Sequence, residues 1–282
     1  MADIKLFVCC HQPVQVPKHP LLFPIQVGTA LAQERFSEFL HDDTGENISI
    51  KNRSYCELTA QYWVWKNIEA DYYGFFHYRR YLYPEISTSQ PYRIAGKPTL
   101  HLLDKLGYNN FSELIKNYDL ILPIGENMHI PVREHYARAP YHHRKDLELI
   151  EQLVKQKYPE MSLALESYFS GTICYFGNIY IMRKEIFYDY CSWLFSLLEE
   201  FDHNADKKEY TSQEQRVDGY IAERLLGVYL RYKQDNLRVL ELPRVHFEPR
   251  IMQRWKMQAL NFVLPPGTCR RAVFKRVING SL

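Results

Sequence analysis

The sequence predicts an α/β chain with a mostly parallel sheet and helices on both faces. Three observations carry that prediction. Short apolar runs alternate with amphipathic helical stretches along most of the chain. Two of the runs, Tyr72–His77 and Tyr118–Pro123, are apolar at both parities, as strands covered on both faces must be. The 282 residues are 46% hydrophobic and 24% charged, which supplies a core for one large α/β unit and excludes a disordered chain.

Ile4–Cys10 reads as a buried strand stopped by His11, Gln12 and Pro13. A loop punctuated by Pro13, Pro17, Pro20 and Pro24 follows, then a polar turn at His41–Asn47. Ser54 and Glu57 have the S-x-x-E spacing of a capping box, which predicts a helix over Tyr55–Asn67 with Leu58, Tyr62 and Trp65 on one face. After the strand at Tyr72–His77 and the one at Tyr118–Pro123, helices near Asp146–Lys157 and Glu185–Glu200 flank Gly171–Met182. That stretch is either a pair of strands or one strand bent at Gly177. A polar loop at Asp202–Lys208, a helix over Gln213–Tyr232 and a last strand over Leu237–Leu242, closed by Pro243, complete a unit of residues 1–250. Residues 251–282 form a separate basic segment: from Arg244 onward eight Lys or Arg face one acid, Glu248, with Trp255, Phe262 and Phe274 interleaved. Such a tail either lies on an anionic membrane face or packs on the domain with its charges in water.

Charge and cysteine usage narrow the function classes. The net charge of +2 argues against a nucleic-acid coat protein. Six cysteines without a CxxC pair suggest neither a disulfide scaffold nor a structural zinc site. The start, MADIKLFVCC, lacks a basic region followed by a long apolar stretch, and no run is long enough to span a bilayer. A soluble, cytoplasmic, reduced protein is expected. Aromatic residues reach 15%, led by 22 tyrosines, which suits a protein that handles sugars or bases and equally suits a tyrosine-rich core.

The densest chemistry follows the strand at Tyr72–His77. His77, Tyr78, Arg79 and Arg80 stand at its carboxyl end, where open α/β sheets bind ligands. Adjacent arginines can hold phosphates by charge-assisted bonds, or one can pair with a carboxylate while the other faces solvent. Asp42, Asp43, Glu46 and Asn47 form either a surface turn, the favoured reading, or a ribose or base contact, and Asn52 follows on the way to the capped helix. His135, His142 and His143 lie among Arg133, Arg138, Arg144 and Lys145, which would repel a metal; a solvated loop is favoured, then an acceptor or phosphate contact. Asn178, beside Gly177, is placed to bond a sugar hydroxyl unless the pair is a plain turn. Arg216, Asp218 and Glu223 begin a helix; the two acids are five apart and do not share a face closely, and each is a general base or an ordinary helix charge. There is no P-loop, dinucleotide fingerprint, nucleophile elbow or H-E-x-x-H.

The blocks FVCCHQP at Phe7–Pro13, PIQVG at Pro24–Gly28, GENIS at Gly45–Ser49, YCELT at Tyr55–Thr59, YWVWKN at Tyr62–Asn67, GFFHYRRY at Gly74–Tyr81, GNIYIM at Gly177–Met182 and GYIAERLL at Gly219–Leu226 resemble the bacterial family called domain of unknown function 4422. The resemblance runs from about Ile4 to His246. It implies a GT-A-like, Rossmann-type glycosyltransferase of capsule, exopolysaccharide or O-antigen synthesis, some members of which transfer galactofuranose from its UDP donor. GT-A enzymes usually hold a divalent ion with an Asp-x-Asp; here the comparable strand end reads His77-Tyr78-Arg79-Arg80, so no metal ligand is assigned, no cofactor is expected and metal dependence is expected to be weak or absent, with a divalent cation, Mn or Mg, left open but not signalled by such a motif.

On this reading an inverting hexosyltransferase uses a UDP-sugar, with UDP-galactofuranose the first choice, and an oligosaccharide or lipid-linked acceptor at the cytoplasmic membrane face. Glu223 is the first candidate base and Asp218 the second; His77, Arg79 and Arg80 hold the diphosphate. His11, Asn47, Asn52, Tyr78 and Asn178 contact nucleotide or sugar, with Tyr78 and Tyr81 as stacking faces. His135, His142 and Arg216 meet the acceptor or a phosphate. The alternative is a non-catalytic carbohydrate- or nucleotide-binding module of a polysaccharide assembly.

Overall fold

A computed structural model of the chain describes residues 2–266 and 268–278. Its strands are β1 (Ile4–Cys10), β2 (Leu22–Gln26), β3 (Leu40–His41), β4 (Tyr72–His77), β5 (Arg80–Leu82), β6 (Tyr92–Ala95), β7 (Leu120–Pro123), β8 (Glu126–Asn127), β9 (Ile173–Cys174), β10 (Tyr180–Arg183), β11 (Val239–Leu242) and β12 (Arg244–Phe247). The main sheet has the order β11-β7-β10-β4-β1-β2-β3. β1 pairs parallel with β2 and β4, β2 with β3, and β7 with β11; of these seven strands β10 alone runs antiparallel, between β4 and β7, and β4 also pairs antiparallel with β5, which carries the sheet on through β12 to β6. The expected mostly parallel sheet is therefore present.

Strand alternation builds two cores. Phe7 and Cys9 of β1 join Tyr73 and Phe75 of β4 in one, covered by helices Leu58–Asn67, Arg144–Lys157, Ser162–Ser170, Lys184–Asn204 and Val217–Lys233. Leu6, Val8 and Cys10 join Tyr72 and Phe76 in the other, covered by helices Leu100–Lys105 and Phe111–Ile115 and by β5, β6 and β12. Phe75 stacks between Phe7 and Phe187 at 5.6 and 5.5 Å; burying each such ring contributes about 2–3 kcal/mol. Sequence periodicity does not reveal the small β5–β12–β6 sheet, whose strands are three or four residues long.

Two expectations change. The proline loop contains β2, with Pro24 inside it. Leu6 N–H donates to Leu21 C=O and Val27 N–H to Cys10 C=O, both at 2.9 Å. By strand alternation Pro24 then turns its ring nitrogen away from β1, and β3 pairs only with Ile25 and Gln26, so the missing donor breaks no ladder bond. The helix expected over Tyr55–Asn67 is two pieces, Asn52–Tyr55 and Leu58–Asn67, broken at Cys56 with φ +51°. The capping box does not form: Ser54 Oγ donates to Asp218, and Glu57 Oε1 accepts from Asn178 Nδ2 at 2.8 Å. Tertiary partners outcompete the local bond. Asn52 Nδ2 braces the break, donating to Cys56 C=O (2.7 Å) and Thr59 Oγ1 (3.1 Å).

Beyond β12 the basic segment forms helices Ile251–Val263 and Cys269–Ile278. Among the described residues no helix is long and apolar enough to cross a membrane.

Candidate active site

The carboxyl ends of β1, β2 and β4 converge. β2 is followed by Gly28 at φ +67°, and a Cβ there would lie 2.5 Å from the Asn52 carboxamide; only glycine lets Asn52 seat against this turn. The turn is held by Asp42, fully buried, which accepts from Gly28 N–H (2.8 Å), Thr29 N–H (2.9 Å), Ser49 Oγ (2.6 Å) and Thr59 Oγ1 (2.6 Å). Four donors satisfy the desolvated carboxylate. Asp42 is thus neither a ribose contact nor a surface turn, but the tie between β2, the loop after β3 and helix Leu58–Asn67. Asn47 is exposed in an Asx turn, bonding Gly45 C=O (3.0 Å) and Ser49 N–H (3.2 Å); the expected donor contact is replaced by the turn.

A cavity of about 600 Å³ opens at these strand ends, lined by His11, Asn52, Glu57, His77, Gln215 and Arg216 among others. A second, of about 460 Å³, is lined by Gln12, Tyr78, Arg79, Lys97, Phe247 and Arg250 among others. Adjacent residues at and just past the ends of β1 and β4 thus line different cavities, His11 and His77 the first and Gln12 and Tyr78 the second. His77 pairs with Arg80 across a two-residue turn made by Tyr78 and Arg79. The Arg79 guanidinium lies 5.0 Å from the Tyr78 ring centroid; that of Arg80 lies beside the Gly177 turn, where a Cβ on Gly177 would come within 3.6 Å of Nη1. Among the described residues neither guanidinium has a carboxylate at ion-pair distance, whereas buried Arg244 pairs with Glu126 and buried Arg224 with Glu223. Desolvation by the surrounding chain, and then Arg244, hold Arg80 below the usual arginine range against the pull of Glu223 and Glu57, although the residue keeps an exposed edge. Two adjacent guanidinium groups, neither in a contact ion pair, can hold an anion between them.

His77 adds shape more than charge. Burial, Arg80 and Arg79 push its imidazole down to about 3. Its Nδ1 accepts from Arg79 N–H (3.2 Å), so the neutral ring carries its proton on Nε2. His11 is lowered as well, by burial and by Arg79 and Arg216. His142, lowered to about 4 chiefly by burial, behaves alike. The unfolded chain binds protons on these rings near 6.5 while the folded chain refuses them until about 3 and 4, so their contribution to stability is lost as pH falls through that window. The melting temperature is expected to drop between about pH 7 and about pH 5, and a His77→Gln variant to lose part of that slope; an unchanged slope would remove His77 from this account.

Two carboxylates are held by one left-handed turn, Gly177 (φ +93°) and Asn178 (φ +48°). Gly177 N–H donates to Glu223 Oε1 (2.7 Å), and Asn178 Nδ2 donates to Glu57 Oε1 (2.8 Å) and Gly219 C=O (3.2 Å). Asn178 is 3% exposed. It positions Glu57 and is not placed to bond a sugar hydroxyl, as the sequence reading expected. Burial raises Glu57 above the usual carboxylate range, against the bond from Asn178. Glu223 keeps partial exposure, with Oε2 accepting from Arg224 Nη1 at 3.3 Å. Asp218 has none: it is fully buried, bonded to Ser54 and to Lys207 Nζ (2.9 Å), which also bonds Asp202 (2.6 Å). Burial pushes it up. That network fixes the short helix Asn52–Tyr55 and leaves Asp218 no path to an acceptor, so its place as second candidate base is corrected.

Of the other expected contacts, His11, Asn52, His77 and Arg216 line the first cavity and Tyr78 and Arg79 the second. Tyr81 is fully buried between Phe76 (5.5 Å) and Phe247 (4.9 Å) and is not a stacking face for a ligand. His135 lies 5.8 Å from Phe176, and His142 stacks on Tyr220 at 4.2 Å with Nδ1–H donating to Pro140 C=O (2.7 Å); neither lines these cavities. Among the described residues no three His, Cys, Asp or Glu side chains form a metal-binding group. At the end of β4 the groups are cationic, a donor set that does not fit a divalent ion. Glu57, Cys56 and Gln215 were not foreseen as lining residues; Glu57 was hidden by the S-x-x-E spacing that made it a capping residue.

The chain matches the family described as Domain of unknown function (DUF4422) over residues 5–234. It is similar to the solved apo structure of WbbM, a bifunctional glycosyltransferase, with a TM-score of 0.82 and 33% identity over 87% of this chain. It spans 45% of that protein's length. No curated protein matches it. By its matched residues and its GT-A-like α/β sheet, the chain belongs to the DUF4422 family.

Proposed function

We propose that the chain is a glycosyltransferase that moves a hexose from a UDP-sugar to an oligosaccharide or lipid-linked acceptor in the synthesis of a bacterial surface polysaccharide. One observation carries the reading: two guanidinium groups, neither in a contact ion pair among the described residues, stand at the end of β4, Arg79 lining one cavity and Arg80 near the two positioned carboxylates, Glu57 and Glu223. The similarity to a glycosyltransferase over 87% of the chain supports it. The family resemblance makes UDP-galactofuranose the first donor to test.

The donor lies across the ends of β1 and β4, where the cavity lined by His77 and the cavity lined by Arg79 adjoin, its diphosphate against Arg79 and Arg80 and the Nε2–H of His77. Glu223 takes the proton from the acceptor hydroxyl as that oxygen bonds the anomeric carbon. The bond from that carbon to the diphosphate oxygen breaks with inversion, through an oxocarbenium-like transition state, and its electron pair leaves with UDP. Negative charge grows on the leaving group, where the arginines stabilise it.

The cheapest test is UDP release from a panel of UDP-sugars, since a transferase leaks slow hydrolysis and a pure binding module releases none. Release from UDP-galactofuranose that rises with acceptor is expected; tight UDP binding with no release would support the non-catalytic module. With arginines in place of carboxylates at the strand end, turnover is expected to persist in EDTA. Complete loss there, restored only by manganese, would overturn the assignment of the diphosphate to Arg79 and Arg80.

A further inference from the structure

Helix Ile251–Val263 carries apolar side chains on two faces, with Met257 and Leu260 half-buried beside Arg254 and Asn261. Polar side chains face the body: Arg254 Nη1 donates to Glu248 C=O (3.4 Å) and Gln258 Nε2 to Ile94 C=O (3.3 Å). Arg271, from the next helix, braces it through Asn261 Oδ1 (3.1 Å) and Leu264 C=O (2.8 Å). Five other apolar side chains face outward: Ile251 is 65% exposed, Met252 71%, Trp255 67%, Phe262 88% and Val263 69%. At helical spacing these five fall within about a third of the circumference, one continuous stripe. From Arg250 onward the sequence has seven Arg or Lys and no Asp or Glu.

We propose that this stripe docks on an anionic lipid bilayer, with the helix in the plane of the surface and Trp255 and Phe262 at the boundary between headgroups and acyl chains. Apolar area and basic charge together are what an interfacial helix uses. A second copy of the chain fits less well, because it would set one basic segment against another, and of its seven Arg or Lys, Arg250 is paired with Glu248 while the segment itself holds no acid. Arg250, at the helix start, also lines the 460 Å³ cavity with Arg79, so the helix begins at the rim of that cavity. The inference stands whether or not the chain transfers sugar.

The test is sedimentation of the full chain with vesicles of phosphatidylglycerol and phosphatidylethanolamine, against vesicles of phosphatidylcholine alone. Partitioning onto the anionic vesicles is expected to be at least about tenfold stronger, to weaken with added salt, and to fall about tenfold in a Trp255→Glu, Phe262→Glu double variant. Both positions are exposed, so the melting temperature should hold; if it does not, Phe262→Ser alone serves the same comparison. Equal binding by native and variant chains, or no effect of salt, overturns the proposal. So does a native chain that ignores vesicles but self-associates in sedimentation velocity through this stripe.

Discussion

Glu223→Gln is expected to lower kcat for sugar transfer about a thousandfold while UDP still binds, the size of effect a positioned general base supplies. The substitution keeps the geometry. Gln retains an oxygen that accepts from Gly177 N–H, now 2.7 Å from Oε1, so the turn beside Arg80 stays in place. What it removes is the proton-accepting oxygen and the charge facing Arg224, which is 2% exposed and lies 5.2 Å from the Phe176 ring. A buried guanidinium that loses its counterion destabilises the fold. Melting temperature and UDP affinity must therefore be read beside kcat, and a fall in kcat with unchanged UDP affinity marks the chemical step. Glu57→Gln is the comparison. Glu57 lines the cavity and is held by the same turn, through Asn178. If Glu57→Gln costs more than Glu223→Gln, the base is Glu57 and the assignment to Glu223 fails.

How much of this was legible in the sequence depends on whether a residue's partners are local. The strand at Tyr72–His77 is apolar at both parities, and that alone places it inside a sheet with its polar tail at the carboxyl end; the site follows from it. The strand at Pro24 and the break at Cys56 were not legible. Pro24 is allowed only because one side of β2 is nearly unpaired, a fact of sheet order. Cys56 adopts φ +51° where the partners of Ser54 and Glu57 are Asp218 and Asn178, 164 and 121 residues away. The S-x-x-E spacing is compatible with a capping box and with this arrangement, and only tertiary contacts choose between them. Asp218 and Glu223 read as equivalent acids in one helix, yet one is sealed beside Lys207 and the other meets the Gly177 turn. Helix phase separates them, and the sequence reading had no fixed neighbour from which to measure that phase.

Arg80→Ala is expected to cost about a hundredfold in kcat, or about 3 kcal/mol, the typical loss when one donor to a developing anion is removed. UDP affinity should fall with it, while uridine, which lacks the diphosphate, should bind as before. The fold should hold, because among the described residues Arg80 has no contact ion pair to strand, and removing it relieves its repulsion with Arg244 while giving up only its longer-range attraction to Glu223 and Glu57. Arg244→Ala is the contrasting control. That side chain is buried, pairs with Glu126 and donates to Phe176 C=O at 3.4 Å, so its loss leaves a buried carboxylate unpaired at a cost of about 3–5 kcal/mol of stability. Arg79→Ala should resemble Arg80→Ala in UDP affinity but also alter the second cavity, which Arg79 lines and Arg80 does not. If Arg80→Ala instead lowered the melting temperature and left UDP affinity unchanged, the guanidinium would be serving the fold, and the diphosphate would have to lie elsewhere, with Arg53 and Arg216 in the larger cavity the remaining cations to test.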